Sequence, residues 1–288
     1  MLIINYLRIN LTPSNLLNGI KMMNNPKLDS PVGGWVGGTL TLVGAGPGDP
    51  ELITLKGIKA LQSAKVVLYD ALVHPDLLEY CPENCLKILV GKRFGKHSCS
   101  QELINLMIVD YAAQYGEVVR LKGGDSFVFG RGYEEIEFAR QYGIESTVIP
   151  GLSSSYAVPA LSHIPLTHRG TSESFWVITG TTSQHQLSKD LALAAQSSAT
   201  VVVLMGMNKL PEIVETYAQL NRLDTLVAII QNGSLADQQI VTGKVGNILA
   251  LAQVAAIGNP AIIVLGNVVA LAEQTVNNSQ AIGELSLV

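Results

Sequence analysis

Cysteine is scarce in this sequence, since the 288 residues include only three, Cys81, Cys85 and Cys99. An odd number of thiols cannot pair completely into disulfides. Cys81 and Cys85 are separated by three residues, and no matching pair of metal ligands follows them. We therefore expect reduced thiols, no metal site and a cytoplasmic protein, because structural disulfides belong to oxidising compartments.

Charge is also sparse, and the balance is not positive. Charged residues make up 15% of the chain, and the formal net charge is −4. This balance disfavours a basic nucleic-acid binder, so we expect no nucleic-acid partner. Hydrophobic residues make up 48% of the sequence, which allows a large core, and the length of 288 residues suits two ordinary domains.

Long apolar runs are missing as well. The longest candidate covers residues 261–272, contains Asn267 and follows the chain-breaking residues Gly258, Asn259 and Pro260. A membrane-spanning helix needs about 20 consecutive apolar residues. We expect no membrane span here and interpret the run as a buried strand followed by a helix.

The beginning of the chain differs in composition from the rest. Residues 1–38 are rich in asparagine and proline and end in glycines on both sides of Trp35 and Val36. This composition predicts a flexible N-terminal extension, or translation that starts at Met22 or Met23. We place an N-terminal α/β domain at residues 39–155 and a C-terminal α/β domain at residues 156–288.

Strands and helices alternate through both domains, which predicts an α/β fold. The predicted strands are residues 39–43, 66–69, 86–90, 117–121 and 144–149, then 175–178, 200–204, 226–230, 239–241 and 261–265. Helices are predicted at 54–63, 131–141, near 158–160, and at 187–195, 209–220 and 245–254. One more helix is predicted to begin at a capping box formed by Ser98 and Gln101 and to end near Gln114. The strand at 239–241 follows another strand closely, so we expect a mixed second sheet.

A glycine-rich turn, Gly44–Pro50, follows the first predicted strand. Its spacing is close to a dinucleotide-binding fingerprint, but Asp49 stands where the third glycine belongs. Pro47 removes a backbone N–H from the part of the turn that would face a phosphate. Asp49 would also place a negative charge beside a pyrophosphate, so a ligand without phosphates, especially a cationic one, fits better.

A second glycine-rich loop, Arg120–Gly132, joins the fourth predicted strand to a helix. Gly123 and Gly124 let the backbone turn freely and approach a ligand closely. Asp125 adds a carboxylate and Arg131 a fixed cation. Ligands in α/β proteins usually bind at loops that follow strands, so we interpret this loop as a ligand site, with a tight structural turn as the alternative.

Polar side chains also follow two neighbouring strands. Asp70 ends the second strand, where it either points into a ligand crevice or caps a turn. Lys92, Arg93, Lys96 and His97 follow the third strand and form a basic cluster. The cluster is either a solvated loop or a patch that binds carboxylate or phosphate groups.

Taken in order along the chain, these motifs resemble the tetrapyrrole methylase family. The resemblance extends from about Thr39 to Leu271. It rests on the stretches Val43–Thr54, Tyr69–Asp70, Val90–Arg93, Arg120–Gly132, Pro150–Gly151, Pro165–Arg169 and Val203–Gly206. The chain departs from the family after Gly151, where Leu152 to Ser155 replace the usual Ile-Thr-Ser-Ala.

The resemblance implies two unlike α/β domains that hold S-adenosylmethionine in the cleft between them, in a homodimer. It implies two methylations of the tetrapyrrole uroporphyrinogen III, which give precorrin-2 and S-adenosylhomocysteine. A tetrapyrrole is thus the implied small-molecule partner, on the branch towards siroheme and cobalamin. No segment resembles a dehydrogenase-chelatase, so we expect no siroheme synthesis by this chain alone.

The resemblance also implies roles for individual residues. The implied cofactor-binding residues are Pro47, Gly123, Gly124, Asp125, Val128, Ser153, Ser154, Met205 and Gly233. Asp70 corresponds to the proton acceptor and Lys92 to the proton donor. The candidates for binding substrate carboxylates are Arg93, Arg131, His168 and Arg169, together with Lys96 and His97. Two interpretations of Met205 are open: a polarisable apolar contact with the adenine ring, or ordinary packing in the core.

Other functions stay open on the sequence alone. One is a nicotinamide-dependent oxidoreductase that uses Gly44–Gly48. Another is a non-catalytic module that binds tetrapyrroles or anions. Within the family, the alternatives are a later corrin methyltransferase and a methylase that acts on RNA or protein.

Overall fold

The computed structural model describes residues 37–91 and 99–272. The predictions for residues 1–36, and those for Lys92, Arg93, Lys96 and His97, lie outside the described residues. The chain divides into two compact units. Of the described residues, the first unit contains 37–44, 54–91 and 99–150, and the second contains Ala45–Ile53 and 151–272. The predicted domains, residues 39–155 and 156–288, differ from this division mainly at Ala45–Ile53, which groups with the second unit.

The first unit is built on a parallel sheet of five strands in the order β3-β2-β4-β1-β5. The strands are β1 (Thr39–Gly44), β2 (Val66–Tyr69), β3 (Leu86–Leu89), β4 (Glu117–Lys122) and β5 (Glu145–Ile149). Strand β4 lies in the centre, and its residues from Val118 to Lys122 are all buried. Central strands of a parallel sheet are covered on both faces, which explains why the sequence shows continuous apolar runs rather than alternation.

Three helices in the described part of the first unit are α1 (Leu55–Ser63), α2 (Gln101–Tyr115) and α3 (Gly132–Gln141). The side chain of Thr54 caps α1 by accepting from the N–H of Gly57 at 3.1 Å. The cap of α2 is Ser100, whose hydroxyl accepts from the N–H of Leu103 at 3.2 Å. The predicted cap, Ser98, lies outside the described residues, and the capping role belongs to Ser100 because helical backbone begins directly after it.

The core of the first unit joins these helices to the sheet. Leu40 and Leu68 from the sheet are fully buried with Ile108 of α2 and Ala139 of α3. Burying each large aliphatic side chain contributes about 1.5–3 kcal/mol, so this layer of apolar contacts holds the strand ends in place. The polar residues that follow β2 and β4 are therefore carried by a rigid scaffold.

The second unit contains a mixed sheet in the order β6-β7-β10-β8-β9. Its strands are β6 (Phe175–Thr179), β7 (Thr200–Leu204), β8 (Leu226–Gln231), β9 (Gln239–Lys244) and β10 (Ala261–Leu265). Only β6 and β7 pair in parallel, whereas β10 runs antiparallel to β7 and β8, and β9 antiparallel to β8. The prediction of a mixed second sheet is confirmed, as is the interpretation of the apolar run at 261–265 as a buried strand.

Four helices belong to the described part of the second unit: α4 (Ser154–Leu161), α5 (Asp190–Gln196), α6 (Leu210–Gln219) and α7 (Ile248–Val254). Helix α7 begins three residues later than predicted. The reason is that β9 runs to Lys244, and the N–H groups of Val245 and Gly246 continue its pairing by bonding to the carbonyl oxygens of Thr225 and Leu223. Among the described residues, no helix combines the length and apolar character that crossing a bilayer requires.

Candidate active site

The glycine pair in the loop after β4 has a backbone that favours glycine. Gly124 has a φ of +67°, and nothing lies within 4 Å of the position that a Cβ would take. A side chain there would be strained by the backbone rather than by a neighbour. A Cβ on Gly123 would lie 3.2 Å from the Cβ of Leu72. The loop thus presents bare backbone at Gly124, as the sequence predicted for a close approach to a ligand.

The rest of this loop is wound tightly on itself. The carboxylate of Asp125 accepts a hydrogen bond from the N–H of Phe127 at 2.8 Å. A Cβ on Gly130 or Gly132 would lie 2.6 Å or 2.7 Å from the carbonyl oxygen of Ser126. Asp125 therefore shapes the turn with one carboxylate oxygen, and the half-buried Val128 lies within it.

Arg131, a predicted contact for substrate carboxylates, is engaged with a carboxylate of its own chain. Its guanidinium forms two hydrogen bonds with Glu134, at 2.9 Å and 2.6 Å, in the first turn of α3. The hydrogen bond from Arg131 lowers the pKa of Glu134, and the reciprocal bond raises the pKa of Arg131. Both side chains are about half exposed, at 53% and 51%, so the pair is open to solvent. Glu134 was not among the residues predicted for the site.

Asp70 follows β2 and pairs with two cations of β4. Its Oδ1 accepts a hydrogen bond of 2.5 Å from Nη2 of Arg120. Its Oδ2 lies 3.9 Å from Nζ of Lys122, an ion pair beyond hydrogen-bonding distance. The carboxylate remains 28% exposed, whereas the side chains of Arg120 and Lys122 are 2% and 4% exposed. The Asp70 side chain thus lies at the boundary between a buried cluster and solvent.

Glu135 of α3 lies behind these two cations and is fully buried. Its Oε1 accepts from Nε of Arg120 at 3.1 Å, from Nζ of Lys122 at 3.0 Å and from the Gln101 amide at 3.2 Å. Asp70, Arg120, Lys122 and Glu135 form what we call the buried charge network. Burial and the neighbouring Arg120 lower the pKa of Lys122, while Glu135 and Asp70 oppose that shift.

Three members of this network, Arg120, Lys122 and Glu135, were not predicted as site residues. A signal for two of them was present, because Arg120 lies in the predicted strand 117–121 and Lys122 lies two positions later, directly after its predicted end. Alternate residues of a strand point to the same face, so two cations there require anionic partners. Glu135 had no comparable signal, since a glutamate in the first turn of a helix is common on exposed surfaces.

In the second unit, the glycine-rich turn with Pro47 packs against the loop that follows β8. The N–H of Asp49 donates to the hydroxyl of Ser234 at 3.0 Å, and a Cβ on Gly48 would lie 2.9 Å from the same oxygen. The Asp49 carboxylate accepts from the N–H of Glu51 at 2.9 Å and caps the short 3-10 helix Pro50–Leu52. The Asp49 carboxylate therefore acts as a helix cap.

Gly233, beside Ser234, connects this loop to α4. A Cβ on Gly233 would lie only 2.3 Å from Cγ1 of Val158, so glycine is required there for packing as well as for any ligand. Ser153 caps α4, and its hydroxyl lies 2.9 Å from that of Ser155. Ser154 is the first residue of the helix and is half-buried. Contacts thus join the Pro47 turn, the Gly233 loop and the start of α4 within one unit.

Met205 follows β7 and is not part of the core. Its side chain is 50% exposed, and its φ of 56° is unusual for a residue other than glycine. The hydroxyl of Thr181 donates to its carbonyl oxygen at 3.1 Å, which holds this backbone in place. Of the two interpretations of Met205, ordinary core packing is wrong, because half of the residue is exposed. Its thioether lies at a strand end, where it is available to a ligand.

His168 and Arg169, the other described candidates for substrate binding, lie in an exposed turn of the second unit. The N–H of His168 donates to the carbonyl oxygen of Ser172 at 2.9 Å, and its Nδ1 lies 3.2 Å from the Thr171 hydroxyl. Arg169 is exposed at the tip of this turn. Within residues 37–91 and 99–272, no group of three or more metal-ligating side chains comes together.

A shallow hollow elsewhere in the second unit contains none of the predicted site residues. Tyr217, Arg222 and Gly266 are among the residues that line it. The guanidinium of Arg222 donates to the carbonyl oxygens of Ala195 and Ser197 at 2.7 Å and 3.0 Å, at the end of α5. A cation in this position caps a helix C-terminus, so we interpret Arg222 as structural.

Comparison with known proteins places this arrangement in a family. The sequence pattern of the Tetrapyrrole (Corrin/Porphyrin) Methylases matches residues 39–249. The chain belongs to the tetrapyrrole methylase family. The resemblance predicted from the motifs is therefore confirmed, together with the fold of two unlike α/β units.

Particular relatives are similar over most of the chain. The uroporphyrinogen-III C-methyltransferase of Methanocaldococcus jannaschii is 45% identical over 234 residues, which cover 81% of this chain and 97% of that protein. A siroheme synthase of Actinobacillus pleuropneumoniae is 44% identical over 86% of this chain, which spans only 49% of that longer protein. A crystal structure of uroporphyrin-III C-methyl transferase from Thermus thermophilus, complexed with S-adenyl homocysteine, superposes with a TM-score of 0.70 at 36% identity, covering 81% of this chain and all of that one.

Proposed function

We propose that this chain is an S-adenosylmethionine-dependent methyltransferase that methylates uroporphyrinogen III twice to give precorrin-2. The observation that carries the proposal is the 45% identity to the Methanocaldococcus jannaschii enzyme over 97% of its length. The described site supports it, because Gly123, Gly124, Met205 and Asp70 follow strands and are partly exposed, while Ser153 and Ser154 open α4. S-Adenosylhomocysteine is the expected second product.

The proposed cofactor-binding residues come from each unit. In the first they are Gly123, Gly124, Asp125 and Val128, and in the second Pro47, Ser153, Ser154, Met205 and Gly233. Bare backbone at Gly124 suits a close approach by the cofactor. The half-exposed thioether of Met205 suits an apolar contact with the adenine ring. The cofactor is a sulfonium cation without phosphates, which agrees with Pro47 in the first turn.

The main task of the protein in this reaction is to position the substrate against the cofactor. An electron-rich pyrrole carbon attacks the methyl group of the sulfonium, so that a carbon–carbon bond forms. The bond from carbon to sulfur breaks, and its electron pair stays on sulfur. Holding the two reacting atoms in line supplies much of the acceleration. The positive charge left on the ring system is then removed by loss of a proton.

Asp70 is the proposed acceptor of that proton. Lys92 is proposed as a proton donor elsewhere on the tetrapyrrole, where a proton is relocated after methylation. The Asp70 carboxylate is partly exposed and faces two cations, Arg120 and Lys122. Because the substrate carries eight carboxylates, cations must also bind it. The proposed contacts are Arg93, Arg131, His168 and Arg169. In the structure Arg131 is paired with Glu134, so the substrate would compete with that carboxylate.

The proposed setting is a cytoplasmic homodimer without a bound metal. Support for the compartment comes from the three cysteines, all of which are free thiols. Sedimentation of the purified protein tests the dimer, since a single species with the mass of one chain would contradict it.

Mass spectrometry of the product tests the proposed reaction. The purified protein is incubated with uroporphyrinogen III and S-adenosylmethionine without oxygen. We expect a product that carries two additional methyl groups, with two S-adenosylhomocysteine molecules released for each. A corrin substrate methylated in preference to uroporphyrinogen III would favour the other branch of the family. No methyl transfer to either compound would contradict the proposal.

Calorimetry separates this proposal from a nicotinamide-dependent enzyme. S-Adenosylhomocysteine should bind to the purified protein, and NAD(H) should not. The turn with Pro47 and Asp49 motivates this expectation, because it offers a pyrophosphate fewer N–H donors and a nearby carboxylate. Binding of NAD(H) alone would instead support the oxidoreductase.

A further inference from the structure

We propose that Arg120, Lys122 and Glu135 are positioning residues that hold the Asp70 carboxylate in one orientation for proton removal. The inference rests on the proposed function, because it concerns the group that accepts the proton in that reaction. It assigns a task to three buried charges that the substrate and cofactor contacts leave unexplained. The reasons lie in the sheet, in the geometry around Asp70 and in the charge balance of the buried charge network.

The first reason is that apolar residues would serve the fold better at these positions. Arg120 and Lys122 occupy the central strand of a parallel sheet, and both are almost fully buried. Replacing a buried group of ion pairs with well-packed apolar residues is often neutral or stabilising. A structural explanation alone therefore does not account for two cations on one face of β4. The group that they share at the edge of the core is Asp70.

The second reason is the register of the sheet. Strand β2 pairs with β4 so that Leu68 lies opposite Arg120 and Tyr69 opposite Leu121. Asp70, the next residue, therefore follows the strand at the level of Lys122. Arg120 donates to one Asp70 oxygen, while the Lys122 ammonium lies 3.9 Å from the other. Both carboxylate oxygens thus face a fixed cation, which restrains rotation of the carboxylate.

The third reason is that Glu135 acts on the cations and not on Asp70. Its Oε1 binds both Arg120 and Lys122, whereas its buried Oε2 has no hydrogen-bond partner among the described residues. The guanidinium of Arg120 is held further by the carbonyl oxygens of Leu68 and Leu121, at 3.3 Å and 3.2 Å. Two acids and two bases make the network neutral, so neither cation is left uncompensated in the core.

Other ionisable groups surround the buried charge network. Cys99, which precedes α2, interacts electrostatically with Arg120. At the start of α3, Glu134 interacts with Lys122, and Arg131 interacts with Glu135. Burial raises the pKa of the Cys99 thiol, and Arg120 opposes this. From α2, Gln101 contributes an uncharged amide to Glu135. Lys92, which follows β3, lies outside the described residues.

The arrangement suits a proton acceptor that works twice for each substrate molecule. Asp70 must meet the substrate in the same orientation at each methyl transfer, and the two adjacent cations fix that orientation. Its partly exposed oxygens allow the proton to pass to solvent afterwards. An acceptor displaced by about 1 Å would lose roughly 10²-fold in rate, which is why its orientation matters.

The kinetics of Lys122→Met test the contribution of the second cation. Methionine keeps the unbranched shape of the stem and removes the charge. We expect kcat to fall about tenfold while KM for uroporphyrinogen III stays within about twofold, because the substrate still binds but the proton acceptor is no longer held. The dissociation constant for S-adenosylhomocysteine should stay within about twofold of the original value. An unchanged kcat, or a loss confined to KM, would overturn the inference.

Crystallography of Arg120→Met tests the geometric part without any substrate. We expect the Asp70 side chain to leave its present rotamer, and kcat to fall by roughly 10²-fold while cofactor affinity is kept. Arg120→Lys should restore part of the rate, because an ammonium can still reach the carboxylate. If Asp70 keeps its orientation in the methionine variant, the positioning role is wrong.

Arg222→Met is the matched control for a buried arginine with a purely structural task. It removes the two hydrogen bonds to the end of α5, so it should lower Tm and leave kcat and KM unchanged. If Arg120→Met does not fold, Lys122→Met and Arg120→Lys carry the test through the split between kcat and KM. If the unmodified protein fails to methylate uroporphyrinogen III, the proposed function is contradicted. If it turns over and the folded variants keep its kcat, the positioning inference alone is contradicted.

Discussion

The backbone N–H of Asp49 donates a hydrogen bond of 3.0 Å to the hydroxyl oxygen of Ser234, which lies 185 positions later in the chain. This bond ties the turn containing Pro47 to the loop containing Gly233. Both residues are proposed to bind the cofactor. A change at Ser234 should therefore disturb cofactor binding without touching the cofactor.

Ser234→Ala should weaken S-adenosylhomocysteine binding about fivefold. The reason is that one hydrogen bond contributes about 1 kcal/mol, and its loss frees the Pro47 turn from its anchor. Isothermal titration calorimetry measures the change. Ser63→Ala is the control, because that hydroxyl bonds only within its own helix at the surface. Equal affinities of both variants would show that the bond does not position the turn.

Gly124→Val should abolish measurable binding of S-adenosylhomocysteine. Its φ of +67° is strained for a residue with a Cβ, and the added side chain occupies the open space proposed for the cofactor. Gly116→Val is a closely matched control, since Gly116 has a φ of +78° and equally open surroundings at the end of α2. We expect similar losses of Tm in both variants. Full affinity in Gly124→Val would contradict the role of this loop.

Asp70→Asn should lower kcat by about 10²–10⁴-fold, the range typical of a general base. Asparagine keeps the shape of the side chain but cannot accept the proton as a carboxylate does. Binding of S-adenosylhomocysteine, measured by calorimetry, should change far less than kcat. Asp224→Asn provides the control, because Asp224 pairs with Lys244 on an exposed surface of the second unit. Equal losses of rate and affinity in Asp70→Asn would make Asp70 a binding residue.

Met205→Ala should weaken cofactor binding while leaving stability nearly unchanged. The side chain is half exposed, so its removal should alter the free energy of unfolding by less than about 0.5 kcal/mol. A buried methionine would instead cost about 2–5 kcal/mol. Denaturant unfolding and calorimetry on the same preparation decide the matter. Val254→Ala, at a position 88% exposed, controls for loss of surface apolar area. Intact affinity in Met205→Ala would contradict the proposed contact with the cofactor.

The sequence predicted most elements of both sheets because buried strands are short apolar runs and the loops between them carry glycine and polar residues. The strand at Val66–Tyr69 has the predicted ends, as do those at Thr200–Leu204 and Ala261–Leu265. Helix starts were less accurate. Helix α7 begins after β9 and its continued bonding to Thr225 and Leu223, and local sequence periodicity contains no information about such distant partners.

The roles of single side chains were predicted unevenly for the same reason. The sequence correctly singled out Gly124, since a paired glycine in a loop indicates unusual backbone by itself. It treated Asp49 as a charge that a ligand would meet, but the structure shows that carboxylate capping the helix that follows. It treated Arg131 as a cation available to the substrate, although Glu134 already binds it.

The sequence by itself determined the family, the two α/β sheets and the loops that carry the candidate site, because these depend on local composition and on motif order. Only the tertiary structure decided which charges meet. The pairing of Asp70 with Arg120, and of both buried cations with Glu135, joins a strand end, the central strand and a helix. The physical reason is that the cost of burying a charge can be offset only by partners near in space, and chain folding alone sets those distances.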